Sequence, residues 1–170
     1  LNQTQMRSPD HLQPFRPLDL SRRLIIDDVT ERNLEIFVRL NGRRGKGTLR
    51  HVLDQTLTPM GGRLLEDMLR HPWREAGPIR RIQEAVVFFH ACDARREALR
   101  AALDRVYDLE RLSTRISLNQ GAPRDCIALR ESLAALPQVL AALKDSFPPN
   151  QGEQDAAPPK AIEEILRAWD

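Results

Sequence analysis

From Thr48 to Leu143 the apolar residues return every three or four positions, and the prolines, with one exception, fall at the ends of the runs. That period belongs to α-helices burying one face. In TPMGGRLLEDMLRHP (Thr58–Pro72) the stripe is Leu64, Leu65, Met68 and Leu69. Thr58 is placed to accept a bond from a first-turn N–H, and Pro59 suits the first helical position. Pro72 ends the run, because the residue before a proline avoids the α region. Thr48 can cap a shorter helix carrying Leu49, Val52 and Leu53. Gly77 to Val106 reads as one long helix or two in series, with Ile79, Ile82, Val86 and Phe89, then Leu99, Leu103 and Val106, on its stripe. Asp108 is placed to cap a helix carrying Leu109, Leu112 and Ile116. After Gly121 and Pro123, Leu129, Leu133, Leu136, Leu140 and Leu143 alternate by four and three. The exception, Pro137, lies inside this last run. It removes one backbone bond and predicts a kinked single helix, since the stripe stays in phase across it.

The N-terminal part reads differently. LIID (Leu24–Asp27) and LEIFVRL (Leu34–Leu40) are rich in β-formers. Between them Asp28 and Glu31 have capping-box spacing, with Asp28 as the cap of a short helical turn. The expected fold class is mostly α: a multi-helix core domain, or part of one, with a small two-stranded β element near the N-terminus. Only 5% of the residues are aromatic, and leucine and alanine dominate the apolar set, a mix that favours helices over sheets. The expected organisation is an irregular lead-in over 1–18, a helical core over 19–145, a proline-rich loop over 146–160 and the start of a further core helix, with Ile162, Ile165, Leu166 and Trp169, over 161–170. The chain begins at Leu1 rather than Met, which suggests an excerpt from a longer polypeptide.

NGRRGKGTL (Asn41–Leu49) has the look of a phosphate-binding loop. Such a loop needs the lysine directly after its last glycine, where it reaches the terminal phosphates. Here Lys46 precedes Gly47 and Thr48 follows it. The expected reading is a glycine-permitted turn into a helix capped by Thr48. The four histidines are scattered, and His90 and Cys92 point to different sides of a helix, so no metal site is expected. Asp27–Asp28, Asp108–Glu110 and Glu163–Glu164 diverge rather than converge, which argues against acid–base catalysis. Cys92 and Cys126 read as free thiols in a cytosolic protein. No apolar run approaches the roughly 18 residues of a membrane span, and no signal peptide is visible. Arg43, Arg44, Lys46 and Arg50 form the densest basic group. A solvated turn is the default for it, and Arg43, Arg44 and Lys46 offer a weak contact to a DNA backbone as the alternative.

Four stretches, DDVTERNLEIF, GTLRHVLDQTLTPMGGRLLEDMLRHP, VYDLERLSTRI and PRDCIALRESLAALPQVL, occur in series between Asp27 and Leu140. In order and spacing they resemble the core (lever) region of the MutS family of DNA mismatch repair proteins, a likeness that extends over about Asp27 to Leu143. Met68 and Trp73 depart from the residues usual there, tryptophan and leucine, and both changes remain apolar. The family's Phe-x-Glu mismatch reader, its DNA clamp and its ATPase with Walker motifs have no counterpart in the chain. The resemblance implies a non-catalytic segment, the first half of the lever, which couples ATP state to DNA clamping. It implies a parent that is a DNA-dependent ATPase with ATP and magnesium bound elsewhere, a homodimer acting on mismatched double-stranded DNA with a MutL-type partner. It also implies a cytoplasmic, nucleoid-associated location in a bacterium. Asn33, Gly61, Arg63, Asp108 and Arg111 carry over as structural signature residues: a turn-stabilising amide, a close helix approach, and a capping carboxylate with Arg111 one turn later. Two rival readings are a helical scaffold for a protein partner and the core of a MutS-like paralogue outside mismatch repair.

Overall fold

A computed structural model describes residues 20–145 and 159–168. The expected lead-in, most of the proline-rich loop and Trp169 lie outside these residues. After a 3-10 turn at Leu20–Arg22, eight α-helices follow among the described residues: α1 (Asp28–Asn33), α2 (Leu49–Leu53), α3 (Pro59–Arg70), α4 (Ala76–His90), α5 (Asp93–Leu103), α6 (Leu109–Ser117), α7 (Pro123–Asp145) and α8 (Lys160–Arg167).

Side-chain caps set four of the eight helix starts among the described residues. Thr48 accepts from the His51 N–H, Thr58 from Gly61, and Asp108 from Arg111. Pro59 occupies the first turn of α3, which ends at Arg70, ahead of Pro72. The run from Gly77 divides into two helices, α4 and α5, at Ala91 and Cys92. Asp27, rather than the expected Asp28, caps α1, its Oδ1 accepting from Thr30 at 2.7 Å. The helix starts one residue early, and Asp28 then lies in its first turn, where the positive end of the peptide dipoles favours a carboxylate.

The two-stranded β element does not form. Among the described residues there are only two isolated antiparallel bridges, Arg23 with Trp73 and Val38 with Arg44. Glu35 takes a positive φ of 49°, which breaks the second expected strand just after its start. The carbonyls of Glu35 and Ile36 accept from Leu49 and Arg50 instead of from a neighbouring strand. Leu24 donates to Pro72, and Arg23 stacks on the Trp73 ring. β-Forming side chains favour a strand only where a pleated surface receives them. No such surface receives them among the described residues: Ile36 is buried, but Leu24, Ile25, Leu34 and Leu40 are exposed.

α7 organises the helical part. α5 and α6 both lie against it, α4 packs on α5 and on α8, and α2 sits beside α3. Phe88, Leu143 and Ile162 form a buried cluster, with Phe89, Leu99 and Leu166 against it. The spacing pointed to Phe89, but Phe88 is the more deeply placed of the pair, and the two rings meet edge to face. Val86 and Leu133 keep the helical period yet are exposed. α7 runs unbroken through Pro137. An 18-residue window within its 23 residues reaches a mean hydropathy of 1.4, so by length and composition alone α7 could cross a bilayer, a criterion that the core helices of soluble proteins also meet. The Arg130–Glu131 pair interrupts the apolar run without lowering its average enough to exclude it.

Two polar groups fasten α7 to its neighbours. Ser132 has no solvent exposure; its Oγ accepts the Tyr107 N–H at 3.0 Å and donates to the Ala128 carbonyl at 2.8 Å. Asp125 is buried in the first turn, accepts the Ala122 N–H at 2.7 Å and pairs with Arg115 of α6 at 3.1 Å. Removing the Ser132 hydroxyl leaves the Tyr107 N–H without its acceptor, at a cost of about 1–3 kcal/mol. Ser132→Ala therefore lowers stability by that amount in urea unfolding, whereas Glu131→Ala, at the exposed neighbouring position, changes it by less than about 0.5 kcal/mol.

Candidate functional site

Arg63 projects from α3 across to the start of α6. Its Nη1 donates to Asp108 Oδ2 at 2.6 Å, and its Nη2 to Asp108 Oδ1 at 2.9 Å and Glu110 Oε2 at 2.6 Å. Asp108 Oδ1 also accepts the Arg111 backbone N–H at 3.1 Å. One carboxylate thus caps α6 and receives a two-pronged guanidinium, a geometry in which charge and direction act together. The bond from Arg63 and, with it, the Arg111 N–H hold the Asp108 carboxyl below the usual range against partial burial. Asp108 and Glu110 in turn raise the pKa of Arg63.

Of the five signature residues, Arg63, Asp108 and Arg111 therefore meet. Gly61 lies on α3 two residues before Arg63. A Cβ there would come within 3.0 Å of Thr58 Oγ1 and 3.5 Å of the Thr56 side chain. The close approach is to the capping loop of its own helix, not to another helix. Asn33 is the exposed last residue of α1 and its amide makes no hydrogen bond to a described residue. The turn after α1 is held by the backbone instead, Leu34 donating to Thr30 and Glu35 to Arg32.

The glycine-rich stretch is a closed turn. Gly42, Gly45 and Gly47 have φ of 79°, 87° and 97°, the left-handed region that glycine enters without a steric penalty. The N–H groups of Arg39, Gly42 and Thr48 donate to carbonyls within the turn, and that of Arg43 donates to the Asn41 side chain. A phosphate cradle is built from backbone N–H groups that point outward, and these four are turned inward. Arg43, Arg44 and Lys46 stand exposed on it.

Ser132 and Asp125 escaped the sequence reading, and Glu110 was expected to diverge from Asp108, whereas both carboxylates accept from Arg63. Ser132 left a signal, a hydroxyl set three residues after Leu129 and four before Leu136, on the apolar stripe. Asp125, two residues after a helix-starting proline, left another. The pairing of Glu110 with Arg63 left none, because 47 residues separate them. The Asp108 carboxyl titrates lower in the fold than at its ordinary value of 3.8. Its contribution is therefore complete above that pH and is lost as the pH falls through the folded value. Arg63→Met is less stable than the parent chain at pH 7, and the gap narrows on going to pH 3. Urea unfolding at the two pH values checks this, and a gap of equal size at both contradicts it.

Residues 29–169 match the family model for MutS domain III. The chain is 67% identical to the DNA mismatch repair protein MutS of Desulfovibrio desulfuricans, with all of the chain and 20% of that protein aligned. It is 58% identical to MutS of Nitratidesulfovibrio vulgaris (strain DP4), over all of the chain and 19% of that protein. With MutS of Bacillus subtilis the identity is 40%, over 82% of the chain and 16% of the protein. The chain spans about a fifth of the length of the first two relatives. A helical core carrying the four motifs in order, matched by a domain III model over most of its length, belongs to the MutS family.

Proposed function

We propose that this domain is a non-catalytic lever that links the ATP state of the full-length protein to its hold on DNA. The observation that carries the reading is the way α7 is held along its length. It is a continuous helix of 23 residues, about 34 Å long at 1.5 Å per residue. Asp125 near its start ties it to α6, and Ser132 near its middle ties it to the turn before α6. Near its end, Leu143 joins Phe88 of α4 and Ile162 of α8. A helix fixed to different neighbours at its two ends carries a displacement from one to the other. Coupling between distant sites requires such an element, with an equilibrium that both sites bias.

In this reading the chemistry lies outside the chain. The full-length protein is a DNA-dependent ATPase that binds ATP and magnesium elsewhere and acts as a homodimer on mismatched double-stranded DNA with a MutL-type partner. The support is that the relatives most like this chain are DNA mismatch repair proteins, which also favours this role over a scaffold or a paralogue in another pathway. Pro137 lies inside α7 on its exposed side, where it removes one backbone bond from the rod. Pro137→Ala in the full-length protein changes the rate of ATP-driven release from mismatched duplex, measured by stopped-flow fluorescence. An unchanged rate in a variant of normal stability counts against the lever.

A further inference from the structure

The turn between Arg39 and Thr48 carries charge that the fold does not use. Elsewhere the arginines of this domain are commonly neutralised across helices: Arg22 on Glu75, Arg63 on Asp108, Arg70 on Glu31, Arg115 on Asp125. Arg43, Arg44 and Lys46 differ from these pairs and, by lying together, from the scattered unpaired arginines Arg80, Arg124 and Arg130. Their side chains form no ion pair or hydrogen bond with any described residue, and all three are exposed within a span of four positions. The glycines on either side hold the turn in left-handed conformations, and its own backbone bonds close it, so the three cations stand on a defined platform.

Arg44 also faces a cleft of about 410 Å³ that it shares with Thr48, Arg50 and His51. The Arg50 Nε there has no hydrogen-bond partner, and its Nη2 stays 3.6 Å from Glu66 and 3.7 Å from Asp54, beyond good hydrogen-bonding distance. The carboxylates on that wall are engaged, Glu31 and Glu66 with Arg70 and Asp54 with Thr56. Within the cleft Arg44, Arg50 and Arg70 balance Glu31, Asp54 and Glu66, so the excess positive charge is that of Arg43 and Lys46 on the turn outside it.

We propose that Arg43, Arg44 and Lys46 form an auxiliary contact to the phosphate backbone of duplex DNA, blind to sequence and to mismatches. Residues 41–47 contain no apolar or aromatic side chain. A protein partner wants a buried apolar or aromatic anchor at the centre of its interface, and single-stranded bases want an aromatic ring to stack on. Backbone phosphates need only cations, and they fix position without reading sequence. The contact is independent of the lever, and rests only on the full-length protein handling DNA.

The test is equilibrium binding of the full-length protein to matched and mismatched duplexes without nucleotide, over a range of salt concentrations. Each phosphate neutralised contributes on the order of 0.9 to the slope of log affinity against log salt. Arg43→Ala/Arg44→Ala/Lys46→Ala lowers the magnitude of that slope by about 2–3 for both duplexes, and the preference for the mismatch is unchanged. Arg43→Lys/Arg44→Lys, which keeps the charges, retains the parent slope. An unchanged slope in the alanine variant overturns the proposal, as does a loss confined to mismatched duplex. If the unaltered protein bound neither duplex, the DNA-handling reading would fall with it. Failure of ATP-driven release alone would touch only the lever.

Discussion

The arrangement depends on a hydroxyl with no access to solvent. Ser132 sits on the face of α7 that meets α5 and α6, and it holds the Tyr107 N–H, at the turn where the chain passes from one of those helices to the other. An amide at that turn is outside the regular bonding of both helices and needs a partner. By supplying it from the middle of α7, the domain fixes where its longest helix crosses the two that precede it. Ala102, Val106, Leu112 and Ala135 are buried in the same part of the molecule. Of these, the small Ala102 and Ala135 let α5 and α7 approach closely, and the hydroxyl sets the register where apolar packing alone would allow sliding.

A second layer of order is electrostatic and lies near the surface. Arg22 with Glu75, Arg70 with Glu31, and Arg81 with Glu164 join segments far apart in sequence. Exposed pairs of this kind are worth on the order of 0–1 kcal/mol each and weaken with salt, so they choose among packings more than they hold the fold together. Arg63 with Asp108 stands apart because its carboxylate also caps α6. Breaking that pair loosens a helix start as well as a contact between helices.

What could be read from the sequence follows a physical division. Local chemistry was legible: Thr48, Thr58 and Asp108 cap helices as their positions suggested, and the helical period gave α3 to α7. Longer-range outcomes were not. Val86 and Leu133 obey the same period as Leu112 and Leu143, but they meet no covering neighbour among the described residues. A period tells which side chains share a face and nothing about what arrives to cover it. The two β-rich stretches failed for a related reason, since a strand needs a partner edge and the backbone groups that met them came from the first turn of α2 and the loop after α3. At the candidate site, the capping role of Asp108 was visible because it acts over three residues, while its guanidinium partner lies 45 residues away. In the glycine-rich stretch, the turn into a helix capped by Thr48 was legible because glycine and threonine act over a few residues.

The central claim is that α7 moves as a stiff body, and an internal distance tests it most directly. Cys126 is exposed near the start of the helix, and Lys144 is exposed near its end. Spin labels at Cys126 and at Lys144→Cys, with Cys92 and every cysteine outside the domain replaced by Ser and labelled subunits diluted with unlabelled ones, are about 27 Å apart along the axis. Pulsed electron resonance on the full-length protein, with and without ATP, should return one narrow distance that does not change. A distance that shortens by several ångströms, or splits into two populations when ATP is added, would show that the helix bends or melts, and a rod could then not be what carries the signal.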